Sequence, residues 1–254
     1  MKKNNLKKAL EDGKVVFGPF LKFTDPAVVE IMRFAGFDFV IIDEEHGPIS
    51  IESAQNMIRA AESVNITPII RVGNNDEALI LRALDIGAQG VEIPQINSKP
   101  DAVRAVKSVK YSPQGERGVC RYVRAANYSS IDKFEYFKSA NSETMIIAHI
   151  EGVEGINNLD EILSVSGIDV IFIGPYDLSQ SLGIPGEVNH PLVTEKMKEV
   201  VSKCKENKIA VGTFADDLET AKSWISLGVQ YMAFSVDVGI LYEASKNIIN
   251  RLKN

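Results

Sequence analysis

The sequence predicts one closed (β/α)8 barrel, the TIM-barrel class of α/β fold, and three observations carry that prediction. Short apolar runs rich in β-branched residues alternate with amphipathic stretches along almost the whole chain, as parallel strands joined by helices do. A local phrase (glycine, apolar residue, Asp or Gln, then a strand) recurs at four helix-to-strand joints: AGFDFVII (35–42), IGAQGVEI (86–93), SGIDVIFI (166–173) and LGVQYMAF (227–234). Glycine just past a helix end takes the left-handed position that stops the helix, so each phrase marks a helix feeding a strand through a very short loop. The 254 residues, 45% hydrophobic, suit a single barrel domain over residues 1–254, since this architecture takes about 250. An open doubly wound sheet is the runner-up. It would more naturally show a glycine-rich phosphate loop after strand one, where this chain reads GPFLKFTD with no GxGxxG or GxxxxGK[ST] anywhere.

In order, residues 15–18 form a first short strand, and Asp25–Pro26 caps and opens a helix through Phe34. The apolar run 39–42 is strand two, and a helix from Ser50 carries Ala54, Met57, Ile58 and Ala61 on one face. Strand three is PIIRV (68–72), followed by a helix over 76–86; strand four is GVEI (90–93), and Ser98 begins a helix to about 109. Residues 111–127 break the rhythm with a long polar segment carrying Arg117, Arg121 and Arg124, a kind of loop that is usually functional or disordered. MIIAHI (145–150) is strand five, a helix covers 155–163, and VIFI (170–173) is strand six. A short helix over 177–182 and a longer one over 191–206 precede strands seven (209–213) and eight (230–234), and an amphipathic helix over 240–252 ends the order.

Composition excludes several classes of function. A net charge of −6 and a pI near 5.3, with no basic face, argue against nucleic acid. No stretch approaches the roughly 20 apolar residues of a membrane span. The basic start MKKNNLKKALEDGK lacks the apolar core of a signal peptide, and Cys120 and Cys204 are too few for a disulfide framework. The expectation is a soluble cytoplasmic protein.

Chemistry concentrates at residues 38–48, DFVIIDEEHGP, where a buried strand ends abruptly in Asp43, Glu44, Glu45 and His46. Barrel active sites gather at the carboxyl ends of strands. That rule adds Arg71 at strand three, Gln95 after strand four, His149 and Glu151 at strand five, and Tyr176 and Asp177 after strand six. Arg71 lies in an otherwise apolar strand and needs an anion. It is either ion-paired with Asp43 or Glu151 or aimed at a substrate oxyanion or carboxylate. Glu151 and Asp177 occupy matching places on adjacent strands. Each suits a helix cap, and together they suit a hard cation such as Mg²⁺ or Mn²⁺, because no cysteine, HxH or HExxH pattern points to zinc. The backbone over Gly174, Pro175, Tyr176 and Asp177 opens a short helix, whose free N–H groups favour a carboxylate. His46 beside Asp43 has the makings of a general base, or of a loop cap; His190 carries no chemistry. A Schiff-base aldolase needs a lysine in the mouth. Strands three to eight hold none, and Lys22 after strand one is the nearest candidate.

These stretches together resemble the metal-dependent (class II) pyruvate aldolases of the HpcH/HpaI family. FDFVIIDEEHGP, PIIRVGNND, LDIGAQGVEIPQI, YSPQGERGV, IAHIEGVEGINNLDEIL and GIDVIFIGPYDLSQSLG occur in the family's order and spacing from about residue 18 to 238. The resemblance implies a barrel of the phosphoenolpyruvate/pyruvate type that reversibly cleaves a 4-hydroxy-2-oxo acid to pyruvate and an aldehyde. It implies His46 as base, paired with Asp43 and supported by Asp85 across a subunit contact, and Arg71 stabilising the enolate. It implies Glu151 and Asp177 as ligands of Mg²⁺ or Mn²⁺, with Co²⁺ a further candidate, and backbone at Tyr176 and Asp177 holding the pyruvate carboxylate. It also implies a homo-oligomer, a hexamer built from dimers with the last helix swapped between subunits. Two positions depart from the family's pattern. His149 stands where Gln commonly touches substrate, and Tyr176 stands where Ala or Ser is common, so the reaction class carries over better than the substrate. Glu44, where glycine is usual, reads as exposed. The rivals are an acyl-CoA lyase on the same barrel, for which the three loop arginines would have to make the groove, and a non-catalytic barrel that binds a keto acid.

Overall fold

The computed structural model describes residues 2–253. Eight parallel strands close in sequence order: β1 (Val16–Leu21), β2 (Phe39–Asp43), β3 (Thr67–Arg71), β4 (Gly90–Ile93), β5 (Met145–Ile150), β6 (Val170–Ile173), β7 (Ala210–Ala215) and β8 (Tyr231–Val236). The predicted barrel is therefore the observed one, with β4, β5 and β6 at the expected bounds and no strand end shifted by more than three residues. Twelve α-helices accompany the strands among the described residues. Helices α2 (Pro26–Phe34), α3 (Ile51–Val64), α4 (Glu77–Asp85) and α5 (Lys99–Val109) start as their caps require. Asp25, Ser50, Asp76 and Ser98 each accept from a first-turn amide.

The sequence reading assigned nothing to three helices. Helix α1 (Asn5–Glu11) plugs the amino-terminal end of the barrel with Leu6 and Leu10. Asn4 caps it and also donates to the carbonyls of Gln89 and Glu143, at 2.9 and 2.8 Å. Helix α6 (Lys133–Glu143) packs Tyr136 and Ala140 on Tyr111 and Ala126 of the long segment, and α11 (Leu218–Leu227) joins β7 to β8. The helix expected over 155–163 divides at Asn158 into α7 (Val153–Asn157) and α8 (Leu159–Leu163). The remaining helices are α9 (Pro175–Ser181), α10 (Pro191–Glu206) and α12 (Asp237–Lys253), the last leaving Leu241, Tyr242, Ile248, Ile249 and Leu252 exposed. No helix among the described residues is long and apolar enough to cross a membrane. Both cysteines are free.

Two cores divide the burial. The outer core lies between strands and helices, and the inner one fills the barrel with Phe20, Phe39, Ile41, Ile69, Met145, Ile147, Val170, Phe172, Tyr231 and Ala233. Side chains alternate along a strand, so Arg71 follows Ile69 inward, Glu92 follows Gly90, and His149 follows Ile147. Register then sets Asp43 beside Arg71 and Arg71 beside Glu92, giving three charged groups on three consecutive strands.

The mouth is tied to the last helix by Asp237, which is 2% exposed. Its carboxylate accepts from the amides of Lys22 (3.0 Å), Phe23 (2.9 Å) and Val238 (2.7 Å). Asp237→Ala strands these donors, at a cost of about 2–4 kcal/mol. Urea unfolding of the variant should show that loss, and Asp237→Asn should recover part of it.

Candidate active site

At the carboxyl ends of the strands, Phe20, Lys22, Asp43, His46, Arg71, His149, Glu151, Phe172, Phe214 and Val236, with the segment Gly174 to Asp177, line a cavity of about 200 Å³. Residues predicted at the ends of β2, β3, β5 and β6 thus meet in one place, with Lys22 from the end of β1. Asp85 does not line it, and Gln95 contributes only its amide.

Arg71 is held from three sides. Its Nε and one terminal nitrogen donate to the two oxygens of Asp43 at 2.8 and 2.7 Å, and the other terminal nitrogen lies 3.2 Å from Glu45. The guanidinium covers the Phe20 ring at 4.5 Å. Of the alternatives for Arg71, the Asp43 pair is present, and the same guanidinium also lines the cavity. Burial alone would push the Asp43 carboxyl up, but the hydrogen bonds and charge of Arg71 outweigh it and hold the group below the usual range.

The expected pairing of Asp43 with the His46 ring is not what forms. Asp43 accepts instead from the backbone amides of Glu45 (3.1 Å) and His46 (3.2 Å), fixing the loop that carries the imidazole. The imidazole is mostly exposed, and its Nε2 faces Glu45 at 3.8 Å. Glu45 is pushed up by burial, against the pull of Arg71 and with the charge of Glu151 adding to the rise. Glu44 is half-buried rather than exposed, and burial raises it too.

Glu151 accepts from the Gln95 amide at 3.1 Å and faces His149 Nδ1 at 3.4 Å. Gln95 has a φ of 56°, a left-handed turn that aims its amide back at the carboxylate. Burial raises Glu151, but the hydrogen bond and charge of His149 prevail and hold it low. Asp177 is raised by burial and then by the charge of Glu151. A Cβ on Gly174 would lie 3.2 Å from Asp177 Oδ2 and 3.6 Å from Glu151 Cγ, so glycine keeps the space between the two acids open. Hard oxygen donors with uncompensated repulsion suit a divalent cation. Among the described residues no group of three or more His, Cys, Asp or Glu side chains is arranged to hold an ion. Two carboxylates completed by substrate and water are nonetheless the usual Mg²⁺ arrangement.

His149 is not free to touch substrate through its nitrogens. Nε2 lies 3.1 Å from Glu92, Nδ1 faces Glu151, and the ring stacks on Phe172 at 4.3 Å. Burial would lower it, yet the two carboxylates raise it to about 9. Glu92 also accepts from the Tyr231 hydroxyl at 2.7 Å. Sequence reasoning passed over Glu92, although the logic that flagged Arg71, a charge inside an apolar strand, applies equally to GVEI. Tyr176 swings toward β7, where its hydroxyl donates to Asp216 at 2.5 Å. That bond, with burial assisting, raises the phenol to about 12. Asp85 is bound to Arg117 at 2.6 Å, and Arg117 covers the Tyr111 ring at 4.7 Å; within one chain Asp85 makes no contact with His46.

Fold and mouth together define a (β/α)8-barrel enzyme with paired acids and one buried guanidinium around a small cavity. The chain belongs to the HpcH/HpaI aldolase/citrate lyase family, whose model matches residues 17–244. It is 33% identical to a hydroxypyruvate/pyruvate aldolase of Roseobacter denitrificans, over 98% of this chain and 97% of the relative. It is 31% identical to a 4-hydroxy-2-oxo-heptane-1,7-dioate aldolase of Escherichia coli, over 98% and 94%. A crystal structure of a family member from Burkholderia cenocepacia superposes with a TM-score of 0.94 at 31% identity, covering 99% of this chain and 100% of that one. The enzyme is accordingly a carbon–carbon lyase.

Breaking the Asp43 pair leaves the largely buried Arg71 with Glu45 as its remaining ion-pair partner among the described residues. Asp43→Ala should cost about 3 kcal/mol in urea unfolding, with Asp43→Asn costing less.

Proposed function

We propose that this enzyme reversibly cleaves a 4-hydroxy-2-oxo acid to pyruvate and an aldehyde through a pyruvate enolate. The observation that carries the reading is the convergence of Arg71, Glu151 and Asp177 on one cavity with His46 at its rim. Glu151 and Asp177 would hold Mg²⁺ or Mn²⁺, with Co²⁺ a further candidate, which when bound supplies a Lewis acid for the keto oxygen. Arg71 faces the charge that develops on that oxygen as the C3–C4 bond breaks, and its ties to Asp43 keep it from reorienting during the step. His46 takes the 4-hydroxyl proton in cleavage and the pyruvate methyl proton in synthesis. The first-turn amides of α9, at Tyr176 and Asp177, have no backbone acceptor within the helix and suit the pyruvate carboxylate.

The aldehyde side lies against Phe20, Lys22, Tyr176, Phe214 and Val236. Tyr176, tied to Asp216, closes part of the mouth that a smaller residue would leave open. The acyl-CoA reading is less well supported. Arg117 and Arg124 are committed to Asp85 and Glu62, and none of the three loop arginines lines the cavity. In the full reading the enzyme is a cytoplasmic homo-oligomer, a trimer of dimers. The exposed apolar side chains of α12 would be covered by a swapped partner helix, and Asp85 of the partner subunit would support His46. Free cysteines suit that compartment.

The pyruvate enolate is tested without an acceptor, by exchange of the pyruvate C3 protons with solvent in the presence of Mg²⁺. Exchange should occur and should stop after thorough chelation with EDTA; exchange that survives chelation, with borohydride trapping at Lys22, would replace the reading by a Schiff base. Arg71→Ala should lose on the order of 10²–10³ in kcat, the scale of one oxyanion donor, and near-full activity would remove its role. Lys22 makes no ion pair among the described residues although it lines the cavity, so aldehydes carrying a carboxylate should be preferred over neutral ones of equal length. Lys22→Gln should reduce that preference about tenfold or more.

A further inference from the structure

Beneath the mouth, three polar side chains interrupt the apolar inner core: Glu92, His149 and Tyr231, all 0–1% exposed. They form one line. Tyr231 on β8 reaches across the barrel to one oxygen of Glu92 on β4, and the other oxygen of Glu92 meets Nε2 of His149 on β5. Nδ1 of His149 then faces Glu151 at the end of the same strand. Aromatic contacts lock the line from the sides. Tyr231 stacks on Phe39 at 4.3 Å, and His149 on Phe172 at the same distance.

We propose that Glu92, held by Tyr231, acts through His149 to fix the Glu151 carboxylate, and that Glu92 and His149 are positioning residues for that acid. The inference rests on the reading that Glu151 holds the divalent cation. Three considerations support it. A buried polar network is no more stabilising than apolar side chains of equal volume, so its placement directly under a mouth carboxylate calls for another role. Every ring nitrogen and carboxylate oxygen in the line has one partner, which leaves His149 a single orientation. Finally, the two mouth acids differ. Glu151 is restrained at both oxygens, by His149 and by the Gln95 amide, whereas among the described residues the Asp177 side chain accepts only from its own backbone amide. One acid is fixed by two other residues and the other by none, so the line sets where a cation would sit. Carboxylate–imidazole pairs behind metal ligands act in this way, and their loss typically weakens metal binding by about 10–100-fold.

The test is Mn²⁺ titration of the full chain without substrate, alongside thermal unfolding. Glu92→Gln, nearly isosteric, should weaken Mn²⁺ binding by about 10–100-fold, and Tyr231→Phe should shift it less in the same direction. In a His149→Gln background, where the intermediary is gone, Glu92→Gln should change the dissociation constant by less than about twofold. A Glu92→Gln protein that melts earlier but binds Mn²⁺ as wild type does overturns the proposal, because the line is then only structural. An equal loss in both backgrounds also overturns it, since Glu92 would not act through His149. Glu151→Gln separates the underlying reading: if that variant keeps wild-type affinity, the cation lies elsewhere and the assignment of Glu151 falls first.

Discussion

The site depends on a guanidinium kept inside a barrel, and that is possible only because its charge is answered from the next strand. Arg71 sits in register with Asp43, so the partner is supplied by sheet geometry rather than by a flexible loop. The same carboxylate also gathers the amides of Glu45 and His46. One ion pair therefore sets the cation, the turn that ends β2 and the place of the imidazole. Separate Asp43 from Arg71 and all three lose their reference point.

Charge balance explains the rest of the mouth. Glu45, Glu151 and Asp177 crowd one end of the barrel, and burial and mutual repulsion push Glu45 and Asp177 upward. Glu151 escapes that fate because His149 stands behind it. The mouth is thus deficient in positive charge on the side of Asp177 and well supplied on the side of Arg71. A substrate that brings both a chelating oxo acid and a developing oxyanion matches that uneven distribution.

The barrel was legible in the sequence because its signals are local. Caps such as Asp25 and Ser50, and the repeated glycine before four strands, each declare a boundary within a few residues. Helices α1 and α6 escaped for the opposite reason. Each buries little of itself, Leu6 and Leu10 in one and Tyr136 and Ala140 in the other, and each is stabilised by partners distant in sequence. At the site, strand-end position identified Arg71, Glu151 and Asp177. It could not show that Asp43 would turn to backbone amides rather than to the His46 ring, nor that His149 would be enclosed. The enclosure of His149 depends on Glu92 and Tyr231, which come together only when β8 closes against β1.

The filled barrel interior has a kinetic consequence. The inner core fills the barrel between Leu6 and Leu10 of α1 and the mouth, so the cavity has a packed floor and opens at the strand ends. In the proposed aldol reaction, a keto acid seated among Arg71, Glu151 and Asp177 would enter before its partner, and in the cleavage direction would leave after it. The order of arrival and departure is then a property of the cavity's shape, and free exchange of the inner product waits on departure of the outer one.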